Sequence, residues 1–74
     1  MDTATTKPVQ IVVNGQVREV PGGRCLSEIL TVLGVDPGRV AIELNRSIVS
    51  RSAWNDVTVD ANATLEIVQF VGGG

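Results

Sequence analysis

Leu65-Glu66-Ile67-Val68-Gln69-Phe70-Val71 is the stretch whose reading decides the fold. In an extended chain Leu65, Ile67, Gln69 and Val71 fall on one side, and Glu66, Val68 and Phe70 on the other. Both sets hold apolar residues. A strand apolar on both faces lies centrally in its sheet or exposes a binding patch. The loop residues Asp60-Ala61-Asn62-Ala63 precede it, and Gly72-Gly73-Gly74 come after it with no linker.

The remaining elements emerge from period and turn chemistry. Val9, Ile11 and Val13 share one face at period two, which predicts a strand. Asn14-Gly15 then marks a type I′ hairpin, since both residues tolerate positive φ. Gln16–Val20 returns as a second strand, carried more by the turn than by its own alternation. Pro21-Gly22-Gly23 ends it. Leu26, Ile29, Leu30 and Leu33 recur at helical spacing, Gly34 sits where a helix closes, and Pro37 forbids continuation. Cys25 or Ser27 lies at the helix start. Cysteine is a poor N-cap, so a weakened start is expected. Val40–Leu44 reads as a third strand, Asn45-Arg46-Ser47 as a turn, and Ile48-Val49 as a short fourth strand. Residues 50–55 read as a tight turn or a single 3₁₀ turn, with Trp54 folded over the core edge. The order β-β-α-β-β-β predicts an α+β roll, a small mixed sheet on one helix, with the last strand beside the first. The expected organisation is a disordered lead over residues 1–8, one domain over 9–71 and a flexible tail over 72–74.

Composition narrows the function. The 74 residues allow one domain, and a 43% hydrophobic share with one Phe and one Trp makes its core aliphatic. A net charge of −2, with Lys7, Arg18, Arg24, Arg39, Arg46 and Arg51 scattered, argues against nucleic acid as a partner. No apolar run has the length of a membrane span, and the first eight residues lack a secretory h-region, so a cytoplasmic protein is expected. Without His, neither a Cys/His metal site nor a Ser-His or Cys-His nucleophile pair can form. Cys25 reads as a small residue at the helix entry rather than a redox thiol, because no resolving cysteine exists. The eight carboxylates are spread over turns and expected solvent faces. Gly22-Gly23 lacks the Lys and Ser/Thr of a phosphate loop, and Trp54 reads as packing rather than a small-molecule contact.

What remains is a binding module, an interaction subunit, or a carrier whose reactive group is not a side chain. Two readings of Gly72-Gly73-Gly74 stay open here. They are a flexible end, or a slim extension of about 10 Å that carries the α-carboxylate into a narrow passage. A carboxylate is a poor electrophile. Attack on the α-phosphate of ATP would convert it to an acyl adenylate. A sulfur nucleophile would then give a thiocarboxylate, and an amine an amide. Either route needs an external enzyme with a phosphate and Mg²⁺ site.

Over residues 9–74 the sequence resembles the ThiS family, β-grasp, ubiquitin-like sulfur carriers of thiamine biosynthesis. The resemblance is carried by Val40-Ala41-Ile42-Glu43-Leu44-Asn45, by Ile48-Val49-Ser50-Arg51-Ser52-Ala53-Trp54, and by Leu65 through the terminal diglycine, Gly73-Gly74. It departs from the family pattern at three turn or cap positions. Ser50 stands where Pro is usual, Ala61-Asn62-Ala63 where Asp-Gly-Asp is frequent, and Cys25 where Thr or Ser is frequent.

The resemblance implies a carrier that is not itself an enzyme and binds no cofactor. A ThiF-type, E1-like adenylyltransferase would activate the Gly74 carboxylate with ATP and Mg²⁺. A cysteine desulfurase relay would supply sulfur, and a ThiG-type thiazole synthase would accept it. Gly73 and Gly72 would thread the partner's site. Val68 and Phe70, opposite Ile67, are the expected docking patch, with core packing the other reading of Phe70. Alternatives are a molybdopterin synthase small subunit, a ubiquitin-like modifier of protein lysines, and an interaction subunit with an idle tail.

Overall fold

In the computed structural model residues 7–70 are described. The first hairpin forms as its turn chemistry predicts. β1 (Pro8–Val13) and β2 (Gln16–Pro21) pair antiparallel, from Pro8↔Pro21 to Val13↔Gln16. Asn14 (φ 49°) and Gly15 (φ 83°) supply the two positive dihedrals of the turn. β1 thus starts at Pro8, one residue before the expected domain start, and residues 1–6 lie outside the described residues. The poor alternation of β2 has a plain cause. It is an edge strand, and only Val20 of its residues is fully buried.

After β2 the chain passes close to its own beginning. The Gly22 N–H donates to the Lys7 carbonyl at 3.1 Å. A Cβ at Gly22 would stand 2.6 Å from that oxygen and 3.2 Å from Val9 Cγ1. Only glycine fits without movement of backbone.

The helix α1 (Leu26–Leu33) buries Leu26, Ile29 and Leu30, the stripe its spacing predicts. It ends in a Schellman closure: Gly34 (φ 74°) donates to Thr31 O at 3.1 Å and Val35 to Leu30 O at 3.0 Å. Its start shows why a cysteine cap suffices. Leu26 N–H reaches Val57 O at 2.8 Å and Ser27 N–H reaches Trp54 O at 3.2 Å, so backbone carbonyls of a distant loop satisfy donors left open at a helix start. The Glu28 carboxylate accepts from Cys25 N–H at 3.2 Å, the backward half of a capping box. Cys25 also bridges Thr58, and Val59 N–H donates to Arg24 O at 3.0 Å.

A 3₁₀ turn (Pro37–Arg39), capped by Asp36 accepting from Gly38 N–H at 2.9 Å, leads into β3 (Val40–Leu44). Asn45 (φ 51°) and Arg46 (φ 72°) form a second tight turn into β4 (Ser47–Ile48), one residue earlier than expected. A second 3₁₀ turn (Arg51–Ala53) delivers Trp54 to the core, where it is 4% exposed and donates from Nε1 to Val49 O at 3.0 Å. The Arg51 guanidinium lies 4.7 Å from the Trp54 ring and donates to the carbonyls of Pro37 and Val40. Trp54 and Arg51 therefore tie the two 3₁₀ turns to the sheet.

β5 (Thr64–Gln69) completes a sheet of order β2-β1-β5-β3-β4. It runs parallel to β1 and antiparallel to β3. The last strand is central and beside the first, the β-grasp arrangement. Leu65, with no exposed surface, packs with Ile11, Ile42, Leu26 and Ile29 between sheet and helix.

Two measurements test this packing. Gly22→Ala should lower stability by about 1–3 kcal/mol in urea unfolding, and an unchanged midpoint would contradict the tight approach to Lys7. The Glu28 carboxyl is held below the ordinary carboxylate value, first by the Cys25 backbone N–H, then by the Cys25 side chain, with Arg24 adding to it. A depressed folded value gives stability that is present above the unfolded value and lost as pH falls through the folded one. The stability difference between wild type and Glu28→Gln should therefore close on acidification below about pH 4; a difference constant with pH would contradict it.

Candidate functional site

Among the described residues the helix covers one face of the sheet and leaves the other bare. The pairing registers place Thr64, Glu66, Val68 and Phe70 on the bare face, opposite in sense to Leu65 and Ile67. Val68 is 57% exposed and Phe70 56%. They are neighbours at i and i+2 on one strand. Phe70 does not turn into the core. Its N–H donates to Arg39 O at 2.8 Å, which extends the β3–β5 ladder one residue beyond β5.

The surroundings of this pair come from β3 and β4. Ala41 stands opposite Val68, and Ile48, 79% exposed, stands opposite Glu43. Glu43 and Glu66 face each other across β3 and β5. Side chains so opposed stand about 5 Å apart, and like charges there are destabilising. The ion pairs of the described residues, Arg24–Glu28 and Arg39–Asp36, include neither. The bare face is thus an apolar surface of Ile48, Ala41, Val68 and Phe70 around two facing carboxylates. The alternation of Val40, Ile42 and Leu44 already puts Ala41 and Glu43 on the other side of β3. The register that sets Glu43 against Glu66 has no local signal.

On the helix side a cleft of about 420 Å³ opens between the hairpin (Val13, Arg18), the helix end (Leu33, Gly34) and Ile67 and Gln69 of β5. Its charged members are Arg18 and Asp36. Among the described residues no group of three or more His, Cys, Asp or Glu could hold a metal ion, and no helix is long and apolar enough to cross a membrane. Cys25 is partly exposed at the helix start, and Trp54 is buried by packing. Gly72, Gly73 and Gly74, with Val71, lie outside the described residues. What the described residues provide is a strand held in mid-sheet with two exposed apolar side chains at its end.

A model of the ThiS family matches residues 11–74. The chain belongs to the ThiS family. Solved members share its fold. The crystal structure of the thiamine biosynthesis protein ThiS from Geobacter metallireducens superposes with a TM-score of 0.79 at 30% identity, over 89% of this chain and 100% of that one. A solution structure of a thiamine biosynthesis protein from the same organism gives a TM-score of 0.72 at 32% identity, over 89% and 88%. Two curated relatives are named thiazole synthase. That of Paramagnetospirillum magneticum is 39% identical and that of Magnetococcus marinus 35%, each over 66 residues. The match spans 89% of this chain but only 20% of each relative's length.

The facing carboxylates give a direct test of the register. Glu66→Gln should stabilise the fold by about 0.2–1 kcal/mol, with a gain that shrinks in high salt. A loss of thermal stability would contradict the opposition of Glu43 and Glu66.

Proposed function

We propose that the chain is a sulfur carrier whose reactive group is the carboxylate of Gly74, and that it delivers sulfur for thiazole formation in thiamine biosynthesis. The observation that carries the reading is the family match, which runs through residue 74 and so takes in the glycine tail. The relatives named thiazole synthase add support: a region similar to this chain occupies 20% of each, which joins carrier and acceptor in one polypeptide. They favour a thiazole synthase over a molybdopterin-forming partner.

The chemistry proceeds on partner enzymes. A carboxylate oxygen of Gly74 attacks the α-phosphorus of ATP on a ThiF-type adenylyltransferase, pyrophosphate leaves, and an acyl adenylate remains. Mg²⁺ belongs to that enzyme's phosphate site. A persulfide of a cysteine desulfurase relay attacks the acyl carbon and AMP leaves; a thiol then attacks the acyl disulfide so formed, a disulfide departs, and the thiocarboxylate is freed. A ThiG-type thiazole synthase then accepts the sulfur. The carrier contributes position. Val68 and Phe70 dock the partner, and Gly72 and Gly73, lacking Cβ atoms, let the backbone enter a narrow channel. These steps depend on ATP, and the cytoplasm is the compartment that supplies it.

The purified chain, given ATP, Mg²⁺, the adenylyltransferase and a sulfur source, should show one oxygen exchanged for sulfur on its C-terminal peptide by mass spectrometry. Phe70→Ser should leave the thermal midpoint nearly unchanged, since the side chain is exposed, and should slow adenylation at least 10-fold, the loss expected of a docking anchor worth more than about 1.4 kcal/mol. A peptide that stays an ordinary acid, or a ladder of lysine conjugates, would refute the reading.

A further inference from the structure

A central strand pairs along both edges. β5 meets β3 over five residue pairs, from Leu44↔Leu65 to Val40↔Gln69. On its other edge β1 offers only Val12↔Thr64 and Val13↔Leu65 before it turns away at Asn14-Gly15. The backbone ladder there closes with Asn14 N–H donating to Leu65 O at 2.9 Å. The next position is filled by a side chain. Asn14 Oδ1 accepts from Ile67 N–H at 2.8 Å, and Asn14 Nδ2 donates to Ile67 O at 3.2 Å. A primary amide has both an acceptor oxygen and a donor nitrogen, so it can stand where the next peptide of a parallel strand would stand. Asn14 does this from φ 49°, a conformation that asparagine tolerates.

Ile67 lies immediately before Val68, and the clamp therefore sits at the root of the segment that docks and then carries the tail. The same device occurs once more on β5. Asn45 (φ 51°) accepts from Thr64 N–H at 2.9 Å through Oδ1, and its own N–H donates to Thr64 O at 2.8 Å. That clip holds the beginning of the strand, away from the docking residues. The two asparagines thus share a positive φ and a side-chain oxygen that accepts from a β5 N–H, and differ in which end of β5 they hold.

We propose that Asn14 is a positioning residue for Val68 and Phe70, the exposed apolar pair at the end of β5. By fixing Ile67 it sets Val68 and Phe70 in their bound arrangement before a partner arrives. This rests on the carrier reading above. Without the clamp Ile67 joins residues 68–70 in being held from the β3 edge alone, and the partner must restrain the strand end on docking. That cost falls on association and not on the chemical step, so KM rises while kcat stays.

Asn14→Gly keeps a residue at home with positive φ and removes only the amide. Asn14→Asp keeps the acceptor for Ile67 N–H but sets a carboxylate oxygen against Ile67 O. The assay is adenylation of the full chain by the adenylyltransferase, with amide exchange at Ile67 followed by NMR in the free protein. Asn14→Gly should speed Ile67 exchange and raise KM for the carrier about 5- to 30-fold, equivalent to the ordering of one residue, with kcat unchanged. Asn14→Asp should move both readouts the same way. Asn45→Gly is the control: it loosens Thr64 and should leave KM unchanged. Faster Ile67 exchange in Asn14→Gly with an unchanged KM would overturn the proposal. So would a KM raised equally by Asn45→Gly, since the effect would then be general loosening. A wild-type chain that is not adenylated at all would instead overturn the carrier reading, and this proposal with it.

Discussion

The structure depends on β5 being held from two sides. It is the last strand in the chain yet lies third in the sheet, parallel to β1 and antiparallel to β3. A terminal strand at a sheet edge would fray, because termini are loosely held unless tied into the structure. In mid-sheet it is fixed along its length, and Leu65 sits in the aliphatic core. The price is topological: the chain must close β1 against a partner distant in sequence, Val12 against Thr64. Local hairpins offset that cost by forming β1–β2 and β3–β4 from contacts near in sequence.

This constraint also decides what the sheet exposes. A chain with one Phe and one Trp has little large apolar surface, yet it leaves Val68 and Phe70 in water. Neither residue contributes to the packed core, and both lie just past the clamp at Ile67. Past Ile67 the strand is held on its β3 edge alone, and its exposed apolar residues begin there. The sequence lacks a histidine and carries a lone cysteine, so a Ser-His or Cys-His pair cannot form. The fold contributes placement: it sets Val68 and Phe70 at the root of the glycine tail.

Much of this is legible in the residues. The apolar content of both faces of residues 65–71 announces a central strand, and Asn14-Gly15 announces the hairpin. The Leu26, Ile29, Leu30 stripe with Gly34 announces the helix and its end. The family resemblance then supplies the β-grasp arrangement. Long-range pairing is what local pattern does not encode. Cys25 as a cap suggests a weak helix start, because propensity counts only the neighbouring side chain; the carbonyls of Trp54 and Val57 come from elsewhere in the chain. Asn14 and Asn45 read as turn residues, and their second role depends on where β5 lies. The opposition of Glu43 and Glu66 is likewise a matter of register between strands distant in sequence.

That opposition also bears on how an exposed apolar face is tolerated. Ile48, Ala41, Val68 and Phe70 together form the kind of surface that invites a second copy. Self-association through one face is isologous, so each copy presents the same residues to the other. Two copies meeting by this face would enclose the Glu43–Glu66 pair of each, four carboxylates in one interface. Like-charge juxtaposition in a desolvating interface costs several kcal/mol. Relief comes with an opposite charge placed between the two carboxylates, so the Glu43–Glu66 row sets a charge condition on any surface that meets this face.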